Sequence, residues 1–249
     1  MAIPIKSAKD IEKVRGSCLI VAKTLKEVER HVAVGVTTAY LDKIIEDYII
    51  GQGANPSFKK YKGFPASSCI SVNDVVIHGI PGGYTLNDGD IVSIDLGALK
   101  DGFHGDAART FAVGNISKEA ARLIDTTREC FYEGLKQVRV GRRVGDIANA
   151  IQVHAEKYGY GVVRNYAGHG IGRKLHEDPC IPNYGSAGTG AALKAGYCLA
   201  IEPMINQGTY KTVLSNDKWT VFTADGALSA HYENTVLVTN GEPEVLTVC

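Results

Sequence analysis

The chain has 249 residues, 45% of them hydrophobic and 22% charged, with 27 basic against 27 acidic side chains, which argues against disorder and for a sizeable core. A formal charge of zero argues against a general nucleic-acid or membrane-surface binder. No apolar run approaches the roughly 18 residues of a membrane span, and the opening Met1-Ala2-Ile3-Pro4-Ile5-Lys6 lacks the charged-then-apolar order of a signal peptide, so a soluble, cytoplasmic protein is expected.

Ser7 caps the first expected helix, which runs to about His31 with Ile11, Val14, Cys18, Val21, Leu25 and Val28 stepping by three or four. A second follows from a Thr37 cap, with Leu41, Ile44, Ile45, Tyr48 and Ile49 as its stripe and Gly51 as its stop. Short runs rich in β-branched residues then predict strands over 67–72, 91–99 and 103–113. Helical spacing returns over 117–138 and 144–158, and strand-like runs close the chain at 198–205 and 229–238. The order of helices, strands, helices, strands favours an α+β architecture with a mostly antiparallel sheet. It also suggests two similar halves dividing near residue 116, within one domain spanning 1–249. Six cysteines at 18, 69, 130, 180, 198 and 249 include no Cys-x-x-Cys pair and read as free thiols.

The most informative segment lies between Asp90 and Thr110, where two runs flank Lys100-Asp101-Gly102 in a hairpin signature. A loop centred between 100 and 101 sets Asp95 opposite Asp106, whereas an Asp101-Gly102 turn makes the two diagonal neighbours on one face. Either register brings the carboxylates within about 5–7 Å at Cβ, where two anions repel unless a proton or cation intervenes. Asp at a strand end is also an ordinary turn residue, so other residues must decide. His169 stands among Gly168, Gly170 and Gly172, a composition that favours close backbone approach. Glu202 and Glu233 lie inside apolar strands, where glutamate is rare unless paired or bound to metal. Four carboxylates and one imidazole match the charge of two divalent cations and suit Mn, Fe, Co or Zn. From the residues themselves the reading reaches metal-assisted hydrolysis and stops there.

Those five side chains, with the segments 71–81, 100–106, 168–172 and 201–204 around and between them, resemble the dimetal site of the methionine aminopeptidases, the type I enzymes of the pita-bread fold. The likeness runs from Ser7 to Val238 and is to the short bacterial form without a zinc-finger extension. The 31 positions between Glu202 and Glu233 leave no room for the helical insertion of type II enzymes. The resemblance implies a curved, mostly antiparallel sheet with two pairs of helices in pseudo-twofold halves. It implies two divalent metal ions, with Asp95 chelating one, Asp106 and Glu233 bridging both, and His169 with Glu202 completing the second. A metal-bridging hydroxide would attack the scissile carbonyl, with Glu202 shuttling the proton. His78 would contact the substrate near the leaving amine, and His176 would hydrogen-bond the carbonyl oxygen. Tyr61, Cys69 and Trp219 would line the methionine pocket, with Leu175 where an aromatic is often found.

The implied activity is removal of initiator methionine before a small second residue. The implied partners are N-termini of nascent peptides near the ribosome, with no stable nucleic-acid or membrane binding, and the expected state is a monomer. Ala2 satisfies the small-residue rule, so Met1 itself is expected to be removable. Outside the ligand set, His154 is expected to pack structurally and His31 to cap or be solvated, while His104 has no assigned role. His231 stands where glutamine is more usual and Asn234 where histidine is; both are expected to act from behind the ligands. Prolidases and proline-specific aminopeptidases share fold and ligands but resemble the chain less. A metal-free binding relative is the non-enzymatic alternative.

Overall fold

The computed structural model describes residues 3–249, so Met1-Ala2, the position of the expected self-cleavage, lies outside the described residues. Helix α1 (Ala8–Glu29) starts where Ser7 Oγ accepts the Asp10 N–H and Asp10 accepts the Ser7 N–H, a reciprocal cap. Thr37 caps α2 (Thr38–Gly51) by a single bond, its Oγ1 accepting the Tyr40 N–H. The strands β1 (Asn55–Pro56), β2 (Ser68–Val72), β3 (Val75–Ile77), β4 (Ile91–Lys100) and β5 (Phe103–Ala112) follow. Strand β4 pairs antiparallel with β1, β2 and β5, and the two helices pack on this sheet through Val21, Leu25, Leu41, Ile45 and Ile94. Gly105 permits that packing: a Cβ there would sit 2.7 Å from the Cys18 backbone nitrogen.

The second half begins with α3 (Lys118–Leu135), capped by Ser117 through the Ala120 N–H, and α4 (Val144–Lys157). Strands β6 (Gly161–Val162), β7 (Ala167–Gly170), β8 (Glu177–Pro182), β9 (Cys198–Ile201), β10 (Met204–Asn206), β11 (Thr212–Leu214), β12 (Val221–Thr223), β13 (Ser229–His231), β14 (Asn234–Leu237) and β15 (Glu244–Val245) complete it. They form an antiparallel sheet ordered β15-β14-β9-β7-β8 and two three-stranded pieces, β13-β10-β6 and β11-β12-β3. Helices α3 and α4 bury Leu123, Phe131, Ile147 and Ile151 against the strands of this half.

Two expected strands are divided. The run over 198–205 breaks at Glu202-Pro203 into β9 and β10, and the run over 229–238 breaks at Tyr232-Glu233 into β13 and β14. Proline offers no N–H to a ladder, and each break is where the chain passes from one sheet to another. The hairpin register is also decided. Lys100 pairs with Phe103, and Asp101 and Gly102 take positive φ of 51° and 77°, so the turn is Asp101-Gly102. Gly97 therefore opposes Asp106 and Ala108 opposes Asp95, making the two acids diagonal neighbours. The six cysteines are free, and no described helix is long and apolar enough to cross a membrane.

Candidate metal centre

Every side chain expected at the site borders one cavity of about 170 Å³, whose lining includes the four acids and the apolar Cys69, Leu175 and Trp219. Asp95 and Asp106 enter from the β4–β5 hairpin. His169 enters from the middle of β7, between Cys180 of β8 and Ala200 of β9. Its neighbouring glycines make this packing possible, because a Cβ on Gly168 would meet the Ala200 carbonyl oxygen at 2.3 Å and one on Gly170 the Asp178 carbonyl oxygen at 2.2 Å. Glu202 and Glu233 occupy the two strand breaks. Both carboxylates line the cavity from these breaks, Glu233 keeping a backbone pair with Ala108 of β5.

One carboxylate oxygen each from Asp106 and Glu233 and one His169 nitrogen lie within 4.8 Å of one another. Glu202 Oε1 is 3.5 Å from His169 Nε2. His169 Nδ1 lies 2.9 Å from the Gly170 carbonyl oxygen, which makes Nδ1 the protonated nitrogen and leaves Nε2 as a lone-pair donor facing the acids. Asp95 Oδ1, Asp106 Oδ1 and Glu233 Oε1 are buried without a hydrogen-bond partner. Burial raises the carboxyl pKa of all four acids, and for Asp106, Glu202 and Glu233 neighbouring carboxylates raise it further. Orphaned, mutually repelling oxygens beside an imidazole lone pair are a donor set that a divalent cation satisfies.

The histidines of the rim stay neutral. Burial lowers His78 and His169 to about 4, and desolvation followed by the His169 ring lowers His176. His176 stands over the site with its ring 4.1 Å from that of His169 and Nδ1 2.8 Å from the Tyr61 hydroxyl. His78 takes a positive φ of 57° and meets Tyr166 and Trp219 edge-on. Phe58, Lys62 and Phe64 also border the cavity and are absent from the sequence expectation. The aromatic-rich run over 57–64 was the available signal, with Phe64 packing edge-to-face on Trp219 at 5.1 Å.

Of the remaining histidines, His231 is buried but lies on β13 opposite Met204, outside the cavity lining. The strand break sets it in a different sheet from β14, which follows Glu233. His154 is a partly exposed partner of Glu129 at 2.9 Å, and His31 contacts Glu27 and the Tyr40 hydroxyl. His104 bonds Ser57 Oγ at 2.9 Å.

The sequence profile of Metallopeptidase family M24 matches residues 12–240. The chain belongs to this family. A methionine aminopeptidase of Clostridium perfringens is 54% identical over 246 residues, covering 99% of both chains, and methionine aminopeptidase 1 of Bacillus subtilis is 46% identical over 242 residues. The crystal structure of methionine aminopeptidase from Rickettsia prowazekii superposes with a TM-score of 0.98 at 45% identity, covering 99% of this chain and 100% of that one. Prolidase from Pyrococcus furiosus, at 23% identity and a TM-score of 0.81, shares the fold over 98% of this chain and 65% of its own. The architecture is thus the pita-bread fold expected from the motifs, and membership of M24 makes the protein a divalent-metal-dependent peptidase.

Proposed function

We propose that the protein removes the initiator methionine from nascent polypeptides whose second residue is small, acting as one catalytic unit. The observation that carries this reading is the cavity itself. An acid cluster with orphaned oxygens and the apolar side chains of Cys69, Leu175 and Trp219 line the same cavity, so charge chemistry and apolar recognition share one enclosure. A thioether side chain is flexible and polarizable and packs well against aromatic and sulfur-bearing walls.

Asp95, Asp106, His169, Glu202 and Glu233 would hold two divalent cations of the Mn, Fe, Co or Zn class. Such ions supply an acidified water and a Lewis acid for the scissile carbonyl. The chain's own residues do the rest. Glu202, next to the His169 lone pair, takes a proton from the attacking water and returns it to the departing amide nitrogen. His176, held by the Tyr61 hydroxyl, donates from its other ring nitrogen to the carbonyl oxygen as charge gathers there. His78 lies against the Trp219 wall, where it contacts the backbone following the methionine. The acid cluster attracts the free α-ammonium group, which restricts cleavage to the first residue. The protein works as a monomer in the cytoplasm and meets its substrates near the ribosome, and its zero net charge argues against stable binding to nucleic acid or membrane.

The test is hydrolysis of Met-Ala-Ser by the chelated protein after restoring one metal at a time, beside Glu202→Gln and a set of Xaa-Pro peptides. Metal-restored turnover of Met-Ala-Ser, reduced roughly 10²–10⁴-fold in Glu202→Gln, is expected. Preference for Xaa-Pro peptides would refute the substrate assignment.

A further inference from the structure

Behind the acid cluster, on the side away from the cavity, lies a hydrogen-bonded chain that the reaction as derived does not use. Leu246 and Thr247 are buried, and their segment is laid along β14: the Leu246 N–H donates to the Thr235 carbonyl oxygen at 2.9 Å and the Thr235 N–H to Thr247 Oγ1 at 3.2 Å. The Thr247 hydroxyl in turn donates to Asn234 Oδ1 at 2.9 Å. The same oxygen accepts Arg109 Nη2 at 2.6 Å. Two donors on one amide oxygen fix which way the Asn234 side chain points. Arg109 Nη1 then donates to the carbonyl oxygens of Ala108 at 2.8 Å and Glu233 at 2.5 Å, with the guanidinium stacked 4.2 Å from the Tyr232 ring.

These contacts fall where support is otherwise thin. Glu233 lies in a strand break, and its backbone meets β5 only at Ala108, through one bond of 3.0 Å and one stretched to 3.4 Å. The stretched bond is the one to the Glu233 carbonyl oxygen, the atom that Arg109 holds. Two residues further, the Thr235 hydroxyl donates to the Asp106 carbonyl oxygen at 2.9 Å and accepts the Asp106 N–H at 3.1 Å. Asp106 is thus tied to Thr235 directly, whereas Glu233 is tied to β5 by its backbone pair with Ala108, whose weaker bond the guanidinium fork reinforces. Lysine, a single-headed donor, could not grip two carbonyls and an amide oxygen in one plane.

We propose that Thr247, acting through Asn234 and the Arg109 guanidinium, is a positioning residue of the metal centre. It fixes the Glu233 backbone against β5 and so sets the spacing of the Glu233 and Asp106 carboxylates on which cation affinity depends. The proposal rests on the metal-site reading above and assigns it a supporting layer: a threonine distant in sequence, the asparagine that stands where the resembling family commonly has histidine, and an arginine outside the cavity. Such outer partners characteristically influence metal affinity by about 10–100-fold.

The test is calorimetric titration of the chelated full chain with Mn²⁺, for the wild type, Thr247→Val, Thr247→Ser and Arg109→Met. Each protein's kcat and KM on Met-Ala-Ser and its metal-free melting temperature are measured alongside. Thr247→Val is expected to bind Mn²⁺ about tenfold more weakly and Arg109→Met at least as weakly, while Thr247→Ser restores affinity to within about twofold. The loss should appear in kcat at fixed Mn²⁺ with KM nearly unchanged, because the methionine recess is untouched. Variants that melt lower when metal-free but titrate like the wild type would overturn the proposal, since the chain would then support only the fold. A wild type that takes up no Mn²⁺ would instead remove the metal-site reading, and this inference with it.

Discussion

Replacing Asp95 by asparagine should stabilise the metal-free protein while destroying its activity. Burial pushes the Asp95 carboxyl from 3.8 up to about 7. At about 1.4 kcal/mol per pH unit, the ionised group therefore costs the folded chain on the order of 4 kcal/mol relative to the unfolded one. The sign follows from the direction of the shift. A carboxyl whose folded pKa exceeds its unfolded pKa keeps its proton in the folded state, so stability is whole below the unfolded value and is lost as pH rises through the folded one. Nearly the whole penalty is present at pH 8. Near pH 5, where the folded group is still protonated, less than half of it is present. Asparagine keeps the shape without the charge, and its amide can donate to Asp106, whose own ionisation Asp95 opposes. With roughly 2–4 °C of melting temperature per kcal/mol for a chain of this size, Asp95→Asn should melt about 8–16 °C above the wild type at pH 8 and less than half as far above it at pH 5. Saturating Mn²⁺ should reverse the order, because only the wild type retains the full ligand set. Differential scanning calorimetry of both proteins, chelated and metal-loaded at the two pH values, measures all four differences. A metal-free Asp95→Asn that melts below the wild type at pH 8, or a gain independent of pH, would refute the claim that the cluster is held together against its own charge.

Trp219→Ala removes the wall shared with Phe64 and His78 and should raise KM for Met-Ala-Ser roughly tenfold, about 1.4 kcal/mol of binding, while leaving kcat within a small factor. An equal fall in kcat would place the indole in the chemical step instead. Lys6 and Glu177 form a 2.7 Å ion pair with side chains only 5% and 9% exposed, beside His176. Lys6→Met strands the carboxylate and should cost about 3–5 kcal/mol in urea unfolding, whereas Lys6→Met combined with Glu177→Gln should recover most of that loss. If the double variant is no more stable than the single one, the stranded charge is not the cause.

What the sequence by itself determined is local. The caps at Ser7 and Thr37 and the stop after Gly51 bracket their helices because a cap needs only side chains within one turn of the backbone. The hairpin over 91–112 has the same character, since Lys100-Asp101-Gly102 marks a turn, but which of two registers it takes was decided only by the structure. The residue types of the metal centre were equally legible, because an acid inside an apolar run is costly wherever the run folds. Tertiary structure alone decided the rest. The runs over 198–205 and 229–238 read as continuous strands, since their residues suit a strand on either side of Glu202-Pro203 and Tyr232-Glu233; only the sheets available to pair with them divide each run. Strands of two or three residues, such as β6 and β15, carry too few positions to display a period. Phe58 and Phe64 reach the cavity, and Thr247 reaches Asn234, through backbone paths that no spacing encodes. Asp106 and Thr235 are 129 positions apart yet share two hydrogen bonds, and the geometry of the acids depends on that meeting of the two halves. A carboxylate's chemistry belongs to its residue type, but the distance to the next carboxylate belongs to the packing of strands that are remote in sequence.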